Sequence, residues 1–501
     1  MVIKTILLFI WLLTVLSYIS FAQQTITIEN AEQVIILDHP EPTKILKGNV
    51  HIRHQKTHLW ADSITIFDKD SAIAIGNVRF SIADTIFCSG ANRLTYNKKL
   101  LIATGNITVS SKQNTIRTSY FTYDLQNQRA LAINITWITQ SGQITAKHLH
   151  ISGNTFVFTD SVRAQRNETY SLSDTLILNQ ETNKYVFSGN VLIAQDKDSI
   201  QAKQVIAFPD KQEIFIGSGI HSDSLLWIAD KVIIDTNTNM MKNALVKRDS
   251  LLLAGKQIHF YNNQLDITDT FTLLICRAKE DSILISGKRL KLDSSQQKGL
   301  LINGIIKQGE ISMWADSIRM IDSVIILRPN GWISLNDWFI TGDEIFIHKT
   351  DSPANKQFDS IVVYGNAWMI KPLDSIHTNQ LTSPKIIIHF FEKDSITIFA
   401  CCPVKTVFYN TNDKGKITSV NYTEGNRLTA LFNNDSLQNI TMYSNLSGYI
   451  EENAVANLKG QPAVFKPYVT TPVNFWMNEL NPLSKHLFSH LKSRLGRVEE
   501  R

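Results

Sequence analysis

A six-residue phrase that recurs about every 28 positions constrains this chain more than any other feature. It opens on a small residue, continues with two mostly polar ones and closes apolar–any–apolar, as in Ala61-Asp62-Ser63-Ile64-Thr65-Ile66. Thirteen copies start at Ala31, Ala61, Ala91, Thr118, Ala146, Ser173, Ala202, Ala229, Gly255, Gly287, Ala315, Gly342 and Ser383. Eleven steps lead from Ala31 to Gly342, and only the step to Ser383 is long, holding a polar, Pro-bearing insert at 349–359. Such a period means one supersecondary unit per repeat, each unable to bury its apolar face without a neighbour.

About 15 residues after the first phrase, several copies carry Gly-Asn and an apolar residue. These are Gly48-Asn49-Val50, Gly76-Asn77-Val78, Gly105-Asn106-Ile107, Gly189-Asn190-Val191 and Gly365-Asn366-Ala367. Apolar and polar residues alternate around both phrases. Ile64 and Ile66 interleave with Ser63 and Thr65, Asp68-Lys69-Asp70 supplies a turn, and Ile73, Ile75, Val78, Phe80 and Ile82 follow. Period-two alternation rich in β-branched residues predicts strands with one buried face. A Gly inside such a strand predicts a bulge that bends it. Only three of the twelve prolines precede Pro329, so the ladder is seldom interrupted. Each repeat therefore reads as two strands. Stacking them predicts an all-β fold, an elongated two-sheet β-jellyroll-like solenoid of about 13 two-strand repeats, about 60 Å long. A three-sided β-helix, with shorter rungs, is the structural alternative.

The ends read differently. Lys4, the apolar run Ile6 to Ile19 and the small residues of Ser20-Phe21-Ala22 predict a secretory signal cleaved after residue 22. The mature protein is then periplasmic, with peripheral association with the inner or outer membrane left open. No later stretch approaches the ~20 apolar residues of a membrane helix. The repeat domain runs over 23–403 and a C-terminal β extension over 404–482, with one more rung at Tyr422 to Ala430 and a hairpin turning at Asn434-Asp435. A short helix and tail occupy 483–501, where Leu483, Leu487, Phe488, Leu491 and Leu495 share a face opposite Lys485, Lys492 and Arg494.

Fifty basic residues against 45 acidic ones, with no concentrated Lys/Arg stripe, argue against a nucleic-acid partner. Four cysteines, Cys88, Cys276, Cys401 and Cys402, are too few for a disulfide framework and lack metal spacing. There is no Gly-x-Ser-x-Gly, His-Glu-x-x-His, P-loop or Cys-x-x-Cys. No catalytic residue, metal site or cofactor is predicted. The tightest histidine group, His51, His54 and His58, sits in alternating sequence, where positions 51 and 54 of a strand face opposite ways. Asp recurs in one slot, at Asp62, Asp230 and Asp316, which suits turn and strand-entry chemistry.

The signal, the A-D-S-I-type strand, the G-N-V phrase and their spacing resemble the OstA-like (organic solvent tolerance) family over roughly residues 31–383. The segment Asn474 to Pro482 is similar to the tail of long members from the Bacteroidetes group. The resemblance implies kinship with the periplasmic bridge protein of lipopolysaccharide export and with the N-terminal domain of its outer-membrane translocon. This chain is far longer than a short bridge protein and ends without the translocon's large barrel. The resemblance further implies a non-enzymatic lipid-binding bridge in lipopolysaccharide transport and outer-membrane assembly. Lipid A acyl chains would lie between the sheets, and edge-strand pairing would join other lipopolysaccharide-transport proteins, the translocon among them. Head-to-tail pairing into a homo-oligomer stays open.

The candidate groove residues are then the paired inward positions: Ile64 and Ile66, Leu94 and Tyr96, Phe121 and Tyr123, Leu149 and Ile151, Leu176 and Leu178, Val232 and Ile234, Leu290 and Leu292. Shielding one acyl CH₂ is worth about 0.8 kcal/mol, so a multi-chain lipid calls for a continuous lining. Whether these side chains line an open groove or fill a packed core is not decided by their pattern. Two other classes stay open. One is a structural or adhesive solenoid binding protein or glycan at the cell surface. The other is a polysaccharide lyase or hydrolase, which needs carboxylates clustered on neighbouring rungs.

Overall fold

The computed structural model describes residues 27–452 apart from short connecting stretches, the longest being 276–281 and 350–357. The expected signal segment and terminal helix lie outside these residues, as does most of the 349–359 insert. The described residues form 32 strands and no helix. They divide into two compact units, 27–223 with 230–236, and 224–229 with 237–452.

In the first unit, the strand Thr43–His54 pairs antiparallel with Thr57–Phe67, which pairs in turn with Ser71–Ile82. This succession of hairpins continues to Glu213–His221. Each phrase copy occupies every second strand, so one repeat is two strands, as the alternation predicts. The phrase is not a strand entry, however. Ala61 lies in the middle of Thr57–Phe67, and Asp62 follows it there. The alternation changes parity at that point, so one long strand reads in sequence as an end and a beginning.

The parity change is a bulge. Lys47 aligns with Ser63 and Val50 with Ala61, which leaves Gly48 and Asn49 opposite the single residue Asp62. The next hairpin repeats the device, with Gly76 and Asn77 again opposite Asp62. Both Gly-Asn pairs are left-handed, with φ of 80° and 44°, then 77° and 44°. Repeats without the Gly-Asn pair use Asn134, Asn243 or Asn303 in the same conformation, which Asn tolerates better than most side chains.

These aligned bulges fold each strand over on itself. Trp137 aligns with Ile144 and Phe158 with Leu149. On a flat sheet those rungs are about 16 Å apart along the strand. The Trp137 and Phe158 rings nevertheless stack at 5.9 Å. The sheet therefore doubles back at the bulge line, giving two facing sheets from one set of strands. That is the expected two-sheet β-jellyroll-like repeat. The bulge's extra residue also keeps both halves facing inward: Ala130 and Ala132 before Asn134, and Ile135 and Trp137 after it, are all buried.

The small residue of each phrase sits inside this crease, where the two halves of a strand come closest. Ala61, Ala91, Ala146, Ala229 and Ala315 are all buried there. Where the slot holds a hydroxyl, it caps a carbonyl at the bulge. Thr118 donates to Ile133 O at 2.7 Å, Ser173 to Thr175 O at 3.1 Å and Ser383 to Cys401 O at 2.6 Å. A buried hydroxyl needs such a partner, and a bulged carbonyl needs a donor.

The second unit follows the same plan, with longer strands only toward its end. Its hairpins run from Asn239–Arg248 to Ile311–Ile321. Val324–Arg328 and Gly331–Leu335 then both pair with Ile311–Ile321, a strand fully interrupted at the crease. Phe358–Pro372, Thr378–Phe390, Ser395–Thr411 and Ile417–Asn433 complete the ladder, and Ser395–Thr411 runs straight through position 404. The expected last hairpin forms, Asn433 aligning with Ser436. Here too the sheet folds over: the Trp338 and Phe432 rings meet edge to face at 5.3 Å from opposite halves.

Candidate functional site

The interior of the folded sheet is where the candidate residues lie. Ile64, Tyr123, Leu149, Ile151, Leu176, Leu178, Val232 and Leu290 are buried. Ile66, Leu94, Tyr96, Phe121, Ile234 and Leu292 are half-buried. In Thr57–Phe67, Ile64 next to the crease is buried and Ile66 near the hairpin end is half-buried, and Leu290 and Leu292 repeat this in Ile283–Asp293. From Tyr123 to Leu178 the hairpin ends are closed as well: Tyr123, Ile151 and Leu178 are buried, and Phe121 is half-buried. On the facing half, Ile52, Leu59, Phe80 and Val109 form the matching half-buried margin.

In the first unit the lining is continuous. One apolar cluster extends from Leu46 to Ile107 and a second from Leu101 to Leu178. Leu94 and Phe121 pack against both. Two polar groups stand within this surface. Burial and the neighbouring Asp124 raise the Tyr123 hydroxyl above its ordinary pKa, so it stays protonated. The Trp137 indole N–H is buried with no acceptor among the described residues, beside Phe156 and Phe158. A buried indole donor normally has a partner. An acceptor entering the interior would satisfy it.

The crease itself is stitched on the outside. Asn77 donates to both carboxylate oxygens of Asp62, at 3.2 and 3.0 Å, and Asn190 to Asp174 at 3.0 Å. Asn366 to Asp343 at 3.1 Å and Asn330 to Asp316 at 2.9 Å repeat the contact. The recurrent Asp thus holds the bulge of the following strand rather than a strand entry. These carboxylates are each occupied by an Asn amide, one per repeat.

Two members of the tightest histidine group in the sequence are brought together by the fold. His51 and His58 lie seven residues apart but on adjacent strands, their ring nitrogens 2.9 Å apart. Both rings stack on Trp60, at 4.8 and 5.5 Å. Burial, then the His58 charge, lowers the His51 pKa from its ordinary 6.5. Only the hairpin register Arg53↔His58 and His51↔Trp60 brings them together. Of the cysteines, Cys88 is buried, which pushes its thiol up to about 12. Cys401 and Cys402 carry free thiols. Among the described residues no group of three His, Cys, Asp or Glu is placed to hold a metal.

A family model described as OstA-like protein matches residues 23–172. One described as LptA/(LptD N-terminal domain) LPS transport protein matches residues 172–353. Among solved structures, the chain is similar to LptH from Pseudomonas aeruginosa, the LptA homologous periplasmic component of the lipopolysaccharide transport device. Identity is 17%, the TM-score is 0.21, and the match covers 24% of this chain and 99% of that one. No curated protein matches.

Proposed function

The chain belongs to the OstA-like family of lipopolysaccharide-transport proteins, and we propose that it is a non-enzymatic periplasmic bridge that shields lipid acyl chains inside its folded sheet. One observation carries this reading. The apolar lining is closed at the crease beside Ile64, Val232 and Leu290 and half-open along part of the opposite margin, where Ile66, Tyr96, Ile234 and Leu292 keep contact with water. An acyl chain can enter sideways through such a margin while its phosphorylated sugars stay in solvent. Each CH₂ transferred from water gains about 0.8 kcal/mol, so the lining supplies affinity without any catalytic group. The Trp137 N–H offers a hydrogen-bond donor to the ester or amide carbonyl that begins each acyl chain. Partners would join by strand pairing at the first and last strands.

A photo-crosslinking side chain at Ile66 or Leu178 tests this. Lipopolysaccharide captured in cells from these positions, with little from outward Thr65, is the expected result. Capture from Thr65 alone would show that the interior is a packed core and that lipid, if bound, travels outside it.

A further inference from the structure

The outer face of the second unit carries a feature the interior reading does not use. Hairpin register places Tyr364, Lys385, Cys401, Arg427 and Tyr443 on one rung across five strands. Ile386, Ala400 and Leu428, their neighbours in sequence, are buried, so this rung faces outward. Between Lys385 and Tyr443 lies an open pocket of about 500 Å³. Its next rung, Ile387, Phe399 and Thr429, is an apolar ledge, with Phe399 41% exposed.

Two cations flank this pocket. Arg289, Arg328 and Lys405 elsewhere on this unit sit in ion pairs, with Asp266, Glu344 and Glu424. Lys385 and Arg427 have no carboxylate partner among the described residues. The Lys385 ammonium lies 5.0 Å over the Tyr364 ring, which supports the charge without neutralising it. One strand separates the two residues, a Cα spacing of about 10 Å, which two long side chains close onto a single anion. Arg and Lys together are suited to phosphate, the guanidinium by paired hydrogen bonds and the ammonium as a point charge.

We propose that Lys385 and Arg427 form an outward-facing site for the phosphate of an anionic lipid, whose first acyl carbons lie along Ile387 and Phe399. Charge complementarity selects the phosphate, and the exposed ledge selects a lipid over free phosphate, which would leave Phe399 in water. The site is on the opposite face of the sheet from the lining, so it stands or falls separately from the bridge reading.

Cys401 lies between the two cations and reports on the site alone. In the Cys402→Ser chain, the rate of iodoacetamide alkylation at Cys401 is read by peptide mass spectrometry, with and without dihexanoyl phosphatidic acid. The lipid should slow alkylation roughly fivefold or more when in excess over its Kd. In Lys385→Gln/Arg427→Gln the ratio should return to one, and Arg427→Lys should retain most of the protection. Equal slowing by dihexanoyl phosphatidylcholine, or an unchanged ratio in the double variant, would overturn the phosphate site. Equal slowing by inorganic phosphate would overturn the lipid. Capture of lipid from Ile66 is unaffected by any of these outcomes.

Discussion

Asn77 and Gly76 hold a left-handed pair against Asp62, and each depends on the others. A Cβ on Gly76 would meet the Asp62 carboxylate, and φ there is +77°. Gly76→Ala should therefore cost roughly 1–3 kcal/mol, part strain and part collision. Asp62→Ala loses only the Asn77 bond, about 1 kcal/mol. The double variant should lose less than the sum, because removing the carboxylate removes the collision. Urea midpoints of the three variants check this; strict additivity would mean that the backbone strain alone matters. His51 gives a second residue-scale expectation. Burial, His58 and Arg53 lower its pKa, and Glu29 opposes them. The unfolded chain then binds this proton more readily than the folded one. The contribution is present above pH 6.5 and is lost as pH falls through the lower folded value. The urea midpoint should drop between neutral and mildly acidic buffer, and His51→Phe should flatten that drop.

At the scale of the strand, the crease sets the sequence. Ala315 is fully buried and aligns with Gly304 on the preceding strand, so no room exists for a larger side chain. Ala315→Leu should destabilise by about 1–3 kcal/mol, while exposed Arg319→Leu two turns of the pleat away should stay within about 0.5 kcal/mol. Thermal melting of both variants decides it, and equal effects would show that the slot is not sterically fixed. This same slot explains what could be read from the chain. The alternation, the two strands per repeat and the Gly-Asn bulge are local, and each was legible. The strand bounds were not, because a bulge reverses parity and makes one strand resemble two. Alternation picks out the inward positions, but how deeply each is buried, Ile66 half and Ile151 fully, depends on packing between the two halves, which no periodicity encodes. The rung joining Lys385 to Arg427, and the pair His51 and His58, arise only from register between strands.

At the scale of the whole molecule, the two ends of the described chain are built alike. The first long strand, Thr43–His54, is flanked by two short ones, Thr27–Asn30 and Gln33–Leu37. The last, Ile417–Asn433, is flanked by Ser436–Tyr443 and Ser447–Glu452. Both flanks put apolar side chains in water: Val34 and Ile36 at one, Tyr449 and Ile450 at the other. A sheet edge with exposed β-branched residues is an association surface unless a charge blocks it. Neither edge has that charge on its apolar positions, so each is open to another strand. If copies of this chain join head to tail, purified protein should show concentration-dependent self-association in sedimentation velocity. Val34→Lys/Ile36→Lys should abolish it without lowering the melting temperature, since both side chains are already 50% and 63% exposed. Association that survives the two lysines would place the contact elsewhere. A wild-type chain that stays monomeric would reserve the edge for a different protein, and the lysine variant should then lose crosslinking to that protein in cells. The acidic Glu451 at the far edge favours the second outcome, since the near edge carries Glu32 and like charges would meet.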